Sequence, residues 1–234
     1  MNHSSKLFTS MLLMPLAAFS AMAAELGDWP QFRGPNSDGH VKNIASPLEW
    51  SDSKSVAWKI AIPGLGWSSP ALANGKVFLT TAVPNEGGLS LRALALDAKT
   101  GKIVWEREVR AIAKAPKIHS KNSHASPTPV VRDGSVFVHF GAQGMASLAA
   151  ADGAIQWTNF ELDYPPVHGS GGSPVFHDGK LVIVCDGSTK PFVAAIDAKT
   201  GKVAWKQFRS VVGKINHSFV TPTVAVIDGK AQVM

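Results

Sequence analysis

Hydrophobic positions along this chain come in short runs separated by Gly, Asp, Asn and Pro, the pattern of strands joined by tight turns. Leu89–Leu96 (Leu-Ser-Leu-Arg-Ala-Leu-Ala-Leu) reads as a strand, and Lys180–Cys185 (Lys-Leu-Val-Ile-Val-Cys) as a buried one. Ser69–Ala73 and Lys76–Thr81 flank Asn74-Gly75, a strong two-residue hairpin signal. Leu89–Leu96 and Lys102–Val109 complete a unit of four strands. Asp133-Gly134 opens a second unit by joining Thr128–Arg132 to Ser135–Phe140, followed by Gly144–Ala150 and Ala154–Glu161. Asp178-Gly179 joins Pro174–His177 to Lys180–Asp186 in a third, followed by Pro191–Ile196 and Lys202–Phe208. A fourth begins with Val220–Ile227 and turns at Asp228-Gly229. Lys54–Ile62 reads as a lone strand, and residues 24–53, rich in Pro, Gly, Asn and Ser, as ordered coil.

The units are copies of one another. Asp97-Ala98-Lys99-Thr100-Gly101-Lys102-Ile103-Val104-Trp105 recurs as Asp197-Ala198-Lys199-Thr200-Gly201-Lys202-Val203-Ala204-Trp205, and a degenerate copy ends at Trp157. Trp58, Trp105, Trp157 and Trp205 are separated by 47, 52 and 48 residues. A period of about 40–50 residues fits a four-stranded propeller blade. In the repeat, Asp bonds the backbone that follows it and Gly accepts a positive φ, so the motif is a turn between two strands. The Trp closing each copy is a structural docking residue: its ring packs on the neighbouring unit and sets the angle between units.

On these residues the chain resembles the PQQ-like, quinoprotein-type β-propeller repeat family. Ala95-Leu96-Asp97 through Trp105, and Ala195-Ile196-Asp197 through Trp205, match that family's Ala-x-Asp-x-x-Thr-Gly-x-x-x-Trp docking motif in full. The copy ending in Trp157 lacks the Asp and the Thr. Asp28-Trp29-Pro30-Gln31-Phe32-Arg33-Gly34-Pro35-Asn36 looks like the opening of its secreted bacterial members. The resemblance implies an all-β propeller, here incomplete, with about three and a half blades of a ring of seven or eight. Its units fall at residues 63–109, 124–161, 168–208 and 217–234, within a partial propeller spanning 54–234. In closed propellers the chain ends often share a blade, which makes Lys54–Ile62 the outer strand of such a blade. Open edge strands near Lys54–Ile62 and Val220–Met234 are expected to self-associate.

The N-terminus changes the picture of where the protein works. Lys6 precedes an apolar run, Met11–Phe19, and Ala21-Met22-Ala23 supplies small residues at a cleavage site. Residues 1–23 therefore read as a signal peptide, which places the protein in the periplasm or outside the cell. No Cys follows the apolar run, so no lipid anchor is expected there, and no later stretch is long enough to span a membrane. The single cysteine, Cys185, excludes an intrachain disulfide and reads as a buried small hydrophobe. A net charge of +6 is spread without aromatic interleaving, which argues against nucleic-acid binding.

Candidate chemistry lies just before the first strand of each unit, because the first strand of a propeller blade is innermost and its lead segment rings the channel mouth. The leads are Gly64–Pro70, Lys121–Pro129, Pro166–Pro174 and Ile215–Pro222. His124, His168 and His217 lie five, six and five residues before Pro129, Pro174 and Pro222. With Asn122, Asn216 and Trp67, they form the candidate binding face. Trp67 is either a stacking platform or a channel plug. No strict ligand spacing supports a metal, and none is expected. The long connector Glu106–Ser123, with Arg107, Arg110, Lys114, Lys117, His119 and Lys121, is expected to project from a face.

Two functions remain open. The first is an exported, non-catalytic scaffold that binds a protein or small-molecule ligand at the propeller face. The resemblance implies such a role through a lipoprotein propeller of outer-membrane barrel assembly, which acts by binding partners. The second, also implied by the resemblance, is a PQQ- and calcium-dependent dehydrogenase oxidising alcohols or sugars. Many such enzymes place a vicinal disulfide against the cofactor, and one cysteine cannot form it. No calcium-ligand set with a catalytic Asp stands out either. No cofactor and no catalytic residue are expected, and no nucleophile–base pair is visible.

Overall fold

The computed structural model describes residues 27–41, 47–187, 189–210 and 217–234. The expected signal peptide lies outside these residues. The first sheet contains β1 (Ala71–Ala73), β2 (Lys76–Pro84), β3 (Leu89–Asp97) and β4 (Ile103–Ile112) in that spatial order, all antiparallel. The second contains β5 (Val130–Arg132), β6 (Ser135–His139), β7 (Met145–Ala149) and β8 (Ile155–Asn159). The third contains β9 (Val175–His177), β10 (Lys180–Cys185), β11 (Phe192–Asp197) and β12 (Val203–Phe208). A hairpin, β13 (Val224–Ile227) and β14 (Lys230–Val233), begins the fourth. The one helical feature described is a single 3₁₀ turn at Gly141–Gln143. The architecture is an all-β partial propeller.

The first turn of each unit has the same backbone. Asn74, Asp133, Asp178 and Asp228 have φ between 45° and 50°, and the glycine after each also has positive φ. Positive φ at both central residues matches the right-handed twist of the flanking strands, which is why the chain places Asn-Gly or Asp-Gly there. The repeated Asp makes the later turn equally specific. Asp97 Oδ1 accepts hydrogen bonds from the Lys99 and Thr100 amides and from the Thr100 hydroxyl at 3.1, 2.8 and 2.7 Å. Asp197 makes the same set. The degenerate copy still folds into this turn: the Gly153 amide donates to Ala149 O at 2.8 Å, matching Gly101 to Asp97 O.

Sheets pack face to face through alternating side chains. Val136 and Val138 of β6 turn toward the first sheet and join Phe78, Leu91 and Trp105 in one core. Phe137, between them in sequence, turns the other way and joins Leu181, Ile183, Phe192 and Ile196 of the third sheet. The period of two along one strand thus serves two interfaces. Each interface is fixed at its outer end by a Trp. Trp58, Trp105 and Trp157 donate Nε1–H to the carbonyls of Ala98, Ala150 and Ala198 at 2.9, 3.2 and 2.9 Å. Their rings lie over Gly101, Gly153 and Gly201, where a Cβ would come within 2.5–2.7 Å of them. Among the described residues Trp205 makes no such contact, and it is 39% exposed.

One expectation about the N-terminal half is corrected. Lys54–Ile62 is not a strand: Lys54 bridges Ser51 and the following residues run as unpaired coil, because no described strand lies beside them. Trp58 docks without sheet pairing. The expected N-terminal coil, in contrast, is built into the inner rim. Trp29 exchanges two backbone hydrogen bonds with Leu72 of β1 at 2.7 and 2.9 Å, and Pro30 O accepts from Val131 of β5.

Candidate functional site

The lead segments are tied in a chain of hydroxyls. The Ser69 amide donates to Thr128 Oγ1 at 3.1 Å, the Thr128 amide to Ser173 Oγ at 2.9 Å, and the Ser173 amide to Thr221 Oγ1 at 2.9 Å. Each of these four residues directly precedes the aligned Pro of its unit. Prolines cannot donate to a neighbouring strand, so the preceding amide does so, and a hydroxyl at the equivalent position of the next unit accepts it. The Ser/Thr-Pro pairs were visible in the sequence, but their linking role was not read from them.

The long connector does not simply project. β4 takes it as far as Ile112, and the remainder folds back onto the lead of the third unit. The Asn122 side-chain amide donates to His168 O at 2.8 Å and Ser170 O at 3.2 Å, while Asn122 Oδ1 accepts from the Ser123 amide and the Ser126 hydroxyl. The His119 amide also donates to His168 O, at 3.2 Å. Asn122 is therefore a clamp whose polar atoms are engaged by the protein itself. Gly169, at φ +88°, permits the approach: a Cβ there would lie 2.8 Å from Asn122 Nδ2.

This clamp selects which histidines meet. His119 and His168 stand edge to face with ring centroids 5.3 Å apart, and His168 and His217 repeat the arrangement at 5.3 Å. Phe219 lies 6.3 Å from His168 and 5.9 Å from His217, with its ring against Gly171. His119 Nδ1 accepts the Lys121 amide, so a neutral His119 carries its proton on Nε2. An open cleft of about 380 Å³ results, lined by His119, Lys121, Asn122, His168, Gly171 and Phe219.

His124 is not part of this row, which corrects the expected trio. It lines a second hollow of about 220 Å³, with Lys117, Ile118 and Phe140. Burial there holds its pKa below the usual 6.5. Trp67 is also separate: its amide donates to Ala125 O and its ring is 65% exposed. Asn216 lies outside the described residues. His119 takes the place given to His124; only its position in an overlong basic connector hinted at it.

A family model described as outer membrane protein assembly factor BamB matches residues 51–233. The chain belongs to this PQQ-like repeat family. It is 29% identical over 140 residues to an outer membrane protein assembly factor BamB of Moranella endobia, covering 57% of this chain and 32% of that one. It is 25% identical over 167 residues to a polyvinylalcohol dehydrogenase of a Pseudomonas species, covering 65% of this chain and 24% of that one. Among solved structures, the quinohemoprotein alcohol dehydrogenase ADHIIG of Pseudomonas putida superposes with a TM-score of 0.55 at 21% identity, over 78% of this chain and 26% of that one. That likeness is one of fold. The chain spans about a third or less of the length of these relatives.

Members of a PQQ-like family invite a test for the quinone and its calcium. The cleft presents imidazoles, an ammonium and an engaged amide, whereas calcium takes several oxygen ligands, carboxylates foremost. Among the described residues no group of three or more His, Cys, Asp or Glu is placed to hold a metal ion. The lining of this cleft does not fit that ion. The buried polar groups nearby serve the fold. Asp186 Oδ2 accepts from Arg209 and from the Ser218 hydroxyl, which joins the third sheet to the fourth lead. Burial raises the pKa values of Cys185 and Tyr164, which favours their neutral forms.

Proposed function

We propose that this repeat-family chain is an exported, non-catalytic binding module whose ligand or protein partner docks on the His119–His168–His217 face. The observation that carries the reading is the cleft itself. It joins an apolar platform, Phe219, to polar groups that attract and orient a ligand, without a paired acid and base or nucleophile among its lining residues. The name of the matched family, an assembly factor, supports a protein partner.

Export is tested by cell fractionation and N-terminal sequencing. The chain is expected in the periplasm or medium, beginning at Ala24; retention in the cytoplasm with Met1 intact refutes that part. The alternative, a PQQ- and calcium-dependent dehydrogenase, draws support from relatives named as dehydrogenases. Dye reduction with added PQQ, Ca²⁺ and an alcohol separates the two: turnover that vanishes with a chelator overturns the binding reading.

A further inference from the structure

We propose that the His119–His168–His217 face captures an acidic, extended segment of a protein partner. The inference rests on the binding reading above and names the chemistry of the partner. Both hollows beside the connector carry cationic or protonatable groups: Lys121, His119 and His168 in one, Lys117 and His124 in the other. No carboxylate lines either hollow. Among the described residues Lys117 and Lys121 form no ion pair, so their charge is available.

Glu86, Glu161 and Asp163 line neither hollow, and Asp186 is turned to Arg209 and Ser218. A lining with one sign of charge favours a partner of the other sign and speeds its arrival. Phe219, 47% exposed, offers a contact for one apolar residue of that partner.

The shape favours a chain over a small molecule. Connector residues line both hollows, and their lysines are distributed along it from Lys117 to Lys121. One small carboxylate reaches one hollow at most. An extended peptide, advancing about 3.3 Å per residue, passes over both.

The test uses the exported chain and a fluorescein-labelled peptide of alternating Glu and Leu, about ten residues long, followed by anisotropy. A Lys-Leu peptide of equal length is the control, and citrate is a competitor representing a free carboxylate. The Glu-Leu peptide is expected to bind, and to weaken as salt rises. Lys121→Glu and His168→Gln are each expected to weaken it by about tenfold, while Lys59→Glu leaves it unchanged. Circular dichroism checks that each variant stays folded. Equal binding of the two peptides, reduced by Phe219→Ala, keeps the cleft as a binding site and overturns the acidic partner. Citrate binding as tightly as the peptide overturns the extended segment. No binding of either peptide to the folded wild type overturns the inference, whereas PQQ-dependent turnover sinks the underlying reading instead.

Discussion

The indole N–H of Trp157 meets the carbonyl of Ala198 at 2.9 Å, across a boundary between two sheets and 41 residues of chain. The same bond occurs at Trp58 and Trp105, with Gly101, Gly153 and Gly201 beneath the rings.

Repetition at three interfaces lets the contact be tested against an internal control. Gly201→Ala is expected to destabilise the protein by about 2 kcal/mol or more, because φ is +71° and the new methyl lies 2.5 Å from the Trp157 ring. Trp157→Phe should cost about 1–2 kcal/mol, part of it from the unpaired Ala198 carbonyl. Trp205→Phe, at an undocked ring, should cost clearly less. Urea midpoints compare the three, and equal losses at Trp157 and Trp205 refute the docking role.

The hydroxyl chain predicts coupled losses. Ser173→Ala removes the acceptor for the Thr128 amide, which sits in a buried lead, and is expected to cost about 1–3 kcal/mol. Thr128→Val should do the same to the Ser69 amide. Amide exchange at Thr128 and Ser69 reads the effect position by position; unchanged protection in both variants counts against the chain.

His139 predicts the response to acid. Its ring is wholly buried at the end of β6, neither nitrogen has a well-aligned partner, and burial pushes its pKa down to about 4 despite the nearby Gly172 and Gly141 carbonyls. The unfolded chain takes up this proton near pH 6.5 and the folded chain only near 4, so stability falls as pH drops between those values. The full loss is about 3 kcal/mol. Asp97 and Asp197, held below 3.8 chiefly by the Thr100 and Thr200 hydroxyls, lose their stabilising form only at still lower pH. His139→Phe should flatten urea midpoints between about pH 7 and pH 4; an unaltered slope argues against the assignment.

The last prediction concerns the quinone. With imidazole and ammonium groups where calcium needs oxygens, the chain is expected to show no PQQ-dependent oxidation of alcohol or glucose, with or without Ca²⁺. Titration of both, followed by dye reduction, checks it.

Turn chemistry was readable because it is local. Asn74-Gly75 and its three counterparts carry their backbone requirement in two adjacent residues, and Asp97 bonds residues within three positions of itself. The lone-strand reading of Lys54–Ile62 failed for the opposite reason. Strand-like composition does not supply a partner, and extended chain becomes sheet only where another strand lies beside it.

The same division separates the candidate site from the fold. The sequence by itself determined the repeating unit, its hairpins and the Trp that closes each unit. Tertiary structure alone chose His119 over His124. That choice rests on Asn122 reaching His168 O and Ser170 O, 46 and 48 residues away, through a Gly169 that leaves room for it. A hydrogen bond of that reach depends on how successive sheets are angled and how a connector folds back between them, and no periodicity along the chain records it.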